Sequence, residues 1–289
     1  MDDYIPIQIV LYKSISKLPN LIKSINLQDY SNRKIKVYFI NNFPDDSLEV
    51  IVRSNPNFDY AYIDNPLGNV GFGRSHNYLF NTYIKDIKSK YFIISNADVI
   101  WFPSMLKGLI QDGNDNDKSM IVEPSQFPIE HSQVFDLQTK EKYWSTAACI
   151  LLRSRYFEEV GGFDENLFMY CEDLDLSYKA ILHGYVCMYS PLNRVVHITQ
   201  HFDPNKDLST EYYYSRLGTL YILKKYFDQK DVDNYIKYNI SNLDERVQKR
   251  IINDFENIKT YDLSIKTKLP NPRIKIFDNF NFSPKRWEI

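Results

Sequence analysis

Over its first hundred residues the chain repeats one pattern: a short apolar run, then apolar residues at helical spacing. Residues 5–11 form such a run, of the kind found in a strand buried on both faces. Leu18, Leu21, Ile22 and Ile25 follow at the helical period. Residues 35–40 alternate into a second strand that ends at Asn41-Asn42, and 61–63 make a short third one turned out by Asn65-Pro66 and Gly68. Leu79, Phe80, Tyr83 and Ile84 mark another helix, and 91–94 a fourth buried strand leading into Ser95-Asn96-Ala97-Asp98. This alternation predicts an α/β domain with a parallel, doubly wound sheet. Ligands of such sheets bind beyond the carboxyl ends of the strands, where Asn41, Asn42, residues 68–73 and Asp98 all fall. They predict one rim built from separate loops.

Beyond residue 100 the pattern loosens. Residues 120–122 and 147–152 read as strands, and Leu174, Tyr178, Ile181 and Leu182 as a helical stripe. Residues 186–189 and 194–197 read as two short strands, and Leu217, Leu220 and Tyr221 as a helix after Asp207. From about residue 235 the chain is rich in Asn, Asp and Lys and reads as a helical or irregular extension. The 289 residues suit one large domain, or one domain with a C-terminal piece.

Composition excludes several classes. A net charge of −2 argues against a general nucleic-acid binder. The N-terminus is acidic ahead of its apolar run and reads as a first strand rather than a signal peptide. No apolar stretch approaches the roughly 20 residues needed to span a bilayer, so the expectation is a cytoplasmic protein, soluble or peripheral on the membrane. Cys149, Cys171 and Cys187 show no metal or redox spacing and read as reduced thiols. The 23 tyrosines and 18 phenylalanines fit flat stacking surfaces for sugars or bases, or equally a coding bias.

The chemistry concentrates in residues 161–185, GGFDENLFMYCEDLDLSYKAILHGY. Asp164, Glu165, Glu172, Asp173 and Asp175 stand there among Phe163, Leu167, Phe168, Met169 and Tyr170. Carboxylates among bulky apolar residues point to a walled site that binds a cation or takes a proton. Glu172 and Asp173 fall in the first turn of a helix, where the dipole favours the ionised form, and they diverge by about 100° around its axis. Asp175, four residues before Lys179, is equally explained by a surface ion pair. Asp98 follows a buried strand, as a cation-holding carboxylate or as a helix cap before Pro103-Ser104. Residues 67–77, LGNVGFGRSHN, place three glycines and Arg74 before a helix, either a plain turn or a loop whose N–H groups meet a diphosphate. His197 ends the run RVVH as a metal ligand or a satisfied core histidine, and His201 competes for the role.

Taken in order, these segments resemble the inverting nucleotide-sugar glycosyltransferases of the GT-A fold, most closely family 2 in its rhamnosyltransferase-like branch. The resemblance runs from about residue 5 to 226 and rests on NVGFGRSHN (69–77), SNADV (95–99), WSTAACILLR (144–153), GGFDENLFMYCEDLDL (161–176) and His197. It implies a Rossmann-like mixed sheet flanked by helices. Residues 1–230 would be the catalytic domain, with 1–100 binding the nucleotide sugar and 101–230 the acceptor, and 231–289 a mostly helical extension. Asp173 matches the catalytic base. Asp98 and His197 match a site for Mn²⁺ or Mg²⁺. Asn42, Asn69, Gly71, Arg74, Asn96 and Asp98 would border the donor, and Trp144 and Glu172 the acceptor. The implied partners are a nucleotide-diphosphate sugar and a glycan or lipid-linked acceptor in surface polysaccharide synthesis.

Two positions depart from the family pattern. Asn41 stands where the family has an acid beside the nucleotide base, and Asn96 replaces the first acid of the metal motif. Those departures motivate an alternative reading as a non-catalytic sugar-binding relative. A sugar nucleotidyltransferase, another alternative, would carry a Gly-rich loop after the first strand, where residues 11–20 hold no glycine. The tail bearing Lys266, Lys268, Arg273, Lys275, Lys285, Arg286 and Trp287 is a candidate for contact with anionic lipid, or a solvated end.

Overall fold

The computed structural model describes residues 4–30, 33–43, 46–54, 56–128, 135–198 and 208–258. The apolar runs become β1 (Tyr4–Leu11), β2 (Lys34–Asn41), β3 (Asp59–Asp64) and β4 (Tyr91–Ser95), parallel in the order β3-β2-β1-β4. Their crossovers carry α1 (Leu18–Asn26), α2 (Asp46–Ser54) and α3 (Phe72–Leu79), the last running into a π-helical turn at Phe80–Ile84. The sheet then turns mixed. β8 (Cys149–Arg153) joins β4 antiparallel, followed by β6 (Ser119–Phe127), β9 (Val186–His197) and β5 (Val99–Trp101), while β7 (Glu141–Lys142) pairs with β9.

Strand alternation sends side chains into two cores. Ile7, Ile9, Val37, Phe39 and Ile93 pack on one face against α1 and α4 (Met105–Asp115). Tyr38, Ile40, Phe92 and Ile94 pack on the other against α3, α5 (Ser154–Glu159) and α6 (Glu172–Leu182). Gln8 is the polar exception in β1: it is buried and its Oε1 lies 2.7 Å from Nδ1 of His76, whose pKa burial pushes down to about 3. A third core lies beyond α6, where Leu174, Tyr178 and Ile181 meet α7 (Leu208–Tyr226), α8 (Gln229–Tyr235) and α9 (Glu245–Asn257) through Leu220, Leu223, Val232 and Ile251. No described helix is long and apolar enough to cross a membrane. The basic tail and His201 lie outside the described residues.

Two expectations about strands are corrected. The strand expected at 120–122 continues to Phe127, because Glu123 and Gln126 are polar yet buried within the sheet and hide its length from an apolar pattern. The two short strands expected at 186–189 and 194–197 are one strand, β9, whose ladder with β6 shifts register between Pro124–Ser190 and Ser125–Arg194. The irregularity is held by Asn193, whose Nδ2 donates to Ser190 Oγ at 2.7 Å and which fills the space beside Gly108.

Candidate active site

The carboxyl ends of β2 and β3 meet the 67–77 loop through an amide cluster. Asn42 is buried, and its Oδ1 accepts from Asn65 Nδ2 at 2.8 Å and Ser75 Oγ at 2.9 Å. Its Nδ2 donates to the Gly71 carbonyl at 3.2 Å and approaches Asn69 Oδ1 at 3.5 Å. Thus Asn42, Asn69 and Gly71 come together as the sequence predicts, with Asn42 as a strut. Asn41 Nδ2 donates to the Tyr62 hydroxyl at 2.9 Å, and Asp64 Oδ1 lies 3.5 Å away, so a carboxylate does stand at this corner, on β3 instead of β2. Gly71 has φ +88, and a Cβ there would sit 2.0 Å from the carbonyl oxygen of Phe168, which accepts from the Phe72 N–H. Its conformation therefore serves a close approach between this loop and the acidic segment. Arg74 completes the seam, its Nε donating to the Glu165 carbonyl at 2.8 Å.

The five clustered acids separate by environment. Asn77 clamps the turn at Phe163, donating to its carbonyl and accepting from its N–H, and Asn77 Nδ2 also reaches Glu165 Oε1 at 3.2 Å. Lys225 of α7 lies 2.6 Å from both Asp164 and Asp175. Burial works against its ammonium, but the charges of Asp175 and Asp164 outweigh it and hold its pKa above the ordinary lysine value. Burial likewise works against the Asp164 carboxylate, and Lys225 with Tyr221 overcomes it, drawing the pKa down to about 2. Asp175 is fully buried, so its contact with Lys179 belongs to an interior network and corrects the expected surface pair. Lys225→Met removes the cation that bridges Asp164 and Asp175 and is expected to cost about 3 kcal/mol in denaturant unfolding.

Glu172 is buried at the start of α6 beside Gly73, and its Oε2 has no hydrogen-bond partner among the described residues. Burial, and then the charge of Asp173, pushes its pKa up to about 8. The folded protein then keeps a proton that the unfolded chain loses near the ordinary value of 4.5. The Glu172 contribution therefore weakens stability progressively from there to about pH 8. Glu172→Gln, which keeps the shape and removes the titration, is expected to raise the melting temperature at about pH 9 and change it little at about pH 5, as read from paired thermal melts.

Asp173 is half-buried, unlike its neighbour. Its Oδ2 accepts from the Ala147 N–H at 3.1 Å and its Oδ1 from the Leu174 N–H at 2.8 Å. Tyr170 and Cys171, just before α6, both adopt positive φ, near +68 and +69, unusual for residues with a Cβ and typical of constrained functional turns. Gly218 of α7 lies against them, where a Cβ would come within 2.9 Å of the Tyr170 carbonyl. Trp144 packs into the third core, and of its buried successors Ser145 donates its N–H to Ser177 Oγ while Ala147 donates to Asp173. The same stretch reaches the other corner, because the Asn96 N–H donates to the Ala148 carbonyl at 2.8 Å.

That other corner is made by pairing β5 with β9. Val99 opposes His197, and the Ile198 N–H donates to the Asp98 carbonyl, which brings residues 98 and 197 side by side. His197 Nε2 lies 3.5 Å from Asp98 Oδ1, and Lys17 Nζ lies 3.6 Å from Asp98 Oδ2. A carboxylate oxygen and an imidazole nitrogen at this spacing suit adjacent positions around a six-coordinate Mn²⁺, and less well an oxygen-preferring Mg²⁺. Among the described residues no third Asp, Glu, His or Cys completes a cluster. The residues therefore fit a cation whose remaining ligands are phosphate oxygens and water.

Lys17, Glu123, Gln126, Lys142 and Thr146 also reach this region and were not singled out from the sequence. Glu123 offered a signal, an acid inside an apolar strand. Lys17 offered none, since a lysine before a helix is ordinary.

A parallel half-sheet continued by mixed strands, with one acid just beyond β4 and another at the start of α6, is the architecture of GT-A glycosyltransferases. Solved structures share it. Staphylococcus aureus TarS 1–349 in complex with UDP-GlcNAc has a TM-score of 0.56 at 16% identity, covering 86% of this chain and 79% of that one. GalNAc-T7 with UDP, GalNAc and Mn²⁺ has a TM-score of 0.60 at 13% identity, covering 87% and 54%. The chain belongs to glycosyl transferase family 2, whose sequence model matches residues 7–178. Among curated relatives, the N-acetylglucosaminyl-diphospho-decaprenol L-rhamnosyltransferase of Mycobacterium tuberculosis is 23% identical in an alignment 249 residues long that covers 70% of this chain and 78% of that protein.

Proposed function

We propose that this glycosyltransferase is inverting and metal-dependent, moving a hexosyl or deoxyhexosyl group from a nucleotide-diphosphate sugar to a hydroxyl of a glycan or lipid-linked acceptor. The carrying observation is that residues 147–148 bond to both corners, holding Asp173 through the Ala147 N–H and the Asn96 N–H through the Ala148 carbonyl. Asp173 is the base. The Ala147 and Leu174 N–H groups orient its carboxylate, which takes the proton of the acceptor hydroxyl. As the proton passes to Asp173, the acceptor oxygen attacks the anomeric carbon and the bond to the diphosphate oxygen breaks on the opposite face. One displacement needs no second catalytic carboxylate, consistent with Glu172 being buried. Asp98 and His197 hold the divalent cation, which supplies positive charge for the departing diphosphate. Asn69, Gly71, Arg74 and Asn96 border the donor with Asn42 bracing them from below, and the buried Trp144 and Glu172 back the acceptor side.

On this reading residues 1–100 form the donor half, 101–230 the acceptor half and 231–289 an extension. The rhamnosyltransferase relative, named for a diphospho-decaprenol acceptor, supports a deoxyhexose donor and a polyprenyl-linked acceptor; on our reading that acceptor is met at the cytoplasmic face of a membrane. The test is to screen a panel of nucleotide sugars with Mn²⁺ for release of nucleoside diphosphate. Release from one or a few donors, stimulated by a lipid-linked glycan, is expected. Tight donor binding with no release from any member would instead mean a non-catalytic binding protein.

A further inference from the structure

Behind the Asp98–His197 corner lies a buried polar chain that the proposed chemistry does not use. Glu123 and Lys142 are paired at 2.6 Å with both side chains wholly inaccessible to solvent. The ammonium keeps Glu123 a pure acceptor, so whatever else faces it must donate. Gln126 meets that requirement: its Nε2 donates to Glu123 Oε1 at 2.9 Å and to Thr146 Oγ1 at 2.6 Å. The opposite amide orientation would set an oxygen against a carboxylate. Gln126 Oε1 is thereby turned toward His197 Nδ1, 3.1 Å away. The parallel β6–β9 ladder makes this contact, pairing Gln126 with Val195, two residues before His197 on the same face.

We infer that Gln126, held by Glu123, is a positioning residue that fixes the ring of His197 with a proton on Nδ1. Nε2 then turns a lone pair toward Asp98 Oδ1 at 3.5 Å. Two acceptors facing each other repel unless a cation lies between them, so the relay builds a corner complementary to a divalent ion before one arrives. The tautomer stands on the hydrogen-bond geometry alone, and its use in binding a cation rests on the function proposed above.

The test uses the full chain, free of metal, in mildly alkaline buffer. Long-range ¹H–¹⁵N correlations of its five histidine rings report which nitrogen carries the proton, and His197→Gln assigns the signal. The wild type is expected to show His197 protonated on Nδ1. Gln126→Met, which leaves the Glu123–Lys142 pair intact, is expected to shift the ring toward the Nε2 tautomer. It is also expected to weaken binding of Mn²⁺ alone, titrated by electron paramagnetic resonance, by about 10- to 100-fold. A wild-type ring protonated on Nε2 overturns the relay whether or not the variant folds, as does an unchanged tautomer in a folded Gln126→Met protein. The expected tautomers without Mn²⁺ binding in either protein would uphold the relay and remove the cation from the proposed function.

Discussion

Replacing Asp173 with asparagine is expected to lower sugar transfer by at least about 100-fold while the protein still folds and binds its donor. Asparagine keeps the shape and retains one side-chain oxygen. That oxygen can still accept from either the Ala147 or the Leu174 N–H, both of which Asp173 satisfies in the native protein. The other amide loses its partner at a half-buried position, a stability cost of about 1 kcal/mol. The capacity to take a proton disappears altogether. Turnover and donor Kd, measured side by side, separate the two effects. A variant turning over at near the native rate would remove Asp173 from the base role, and loss of donor binding would give it a structural one.

Chelation is expected to have the second large effect. EDTA should abolish transfer, and Mn²⁺ should restore it more fully than Mg²⁺, since His197 offers the cation a nitrogen. The fold should survive, because Lys17 lies beside Asp98 and partly balances its charge when no divalent ion is present. Equal melting temperatures with and without chelator, together with lost activity, are the expected pair of results. Full activity in chelator would leave Lys17, rather than a metal, as the cation facing the diphosphate.

Much of the scaffold was legible because buried strands and amphipathic helices leave periodic marks. β1 to β4, α1 and the helical stripe of α6 all fall where apolar spacing put them. β6 and β9 were mis-sized for the opposite reason: Glu123, Gln126 and Asn193 are polar residues satisfied inside the sheet, and burial of a paired polar group leaves no hydrophobic signal. The ordered motifs likewise brought Asn42, Asn69 and Gly71 to one cluster and Asp98 to His197. The partners that hold these residues lie far away in sequence and follow no local pattern.

The acidic segment 161–185 shows the division most clearly. Sequence alone placed five carboxylates among apolar side chains in and just before the start of a helix, and from that came the expectation of a walled site. Which acid does what was decided only in three dimensions. Lys225, fifty residues beyond Asp175, claims Asp164 and Asp175, while Asn77, from far upstream, takes Glu165. Glu172 is buried beside Gly73, while Asp173 stays half-buried and accepts from the Ala147 N–H. The reason is physical: residue type sets what a carboxyl group can do, and the desolvation and charge that select one state come from neighbours the chain supplies only on folding.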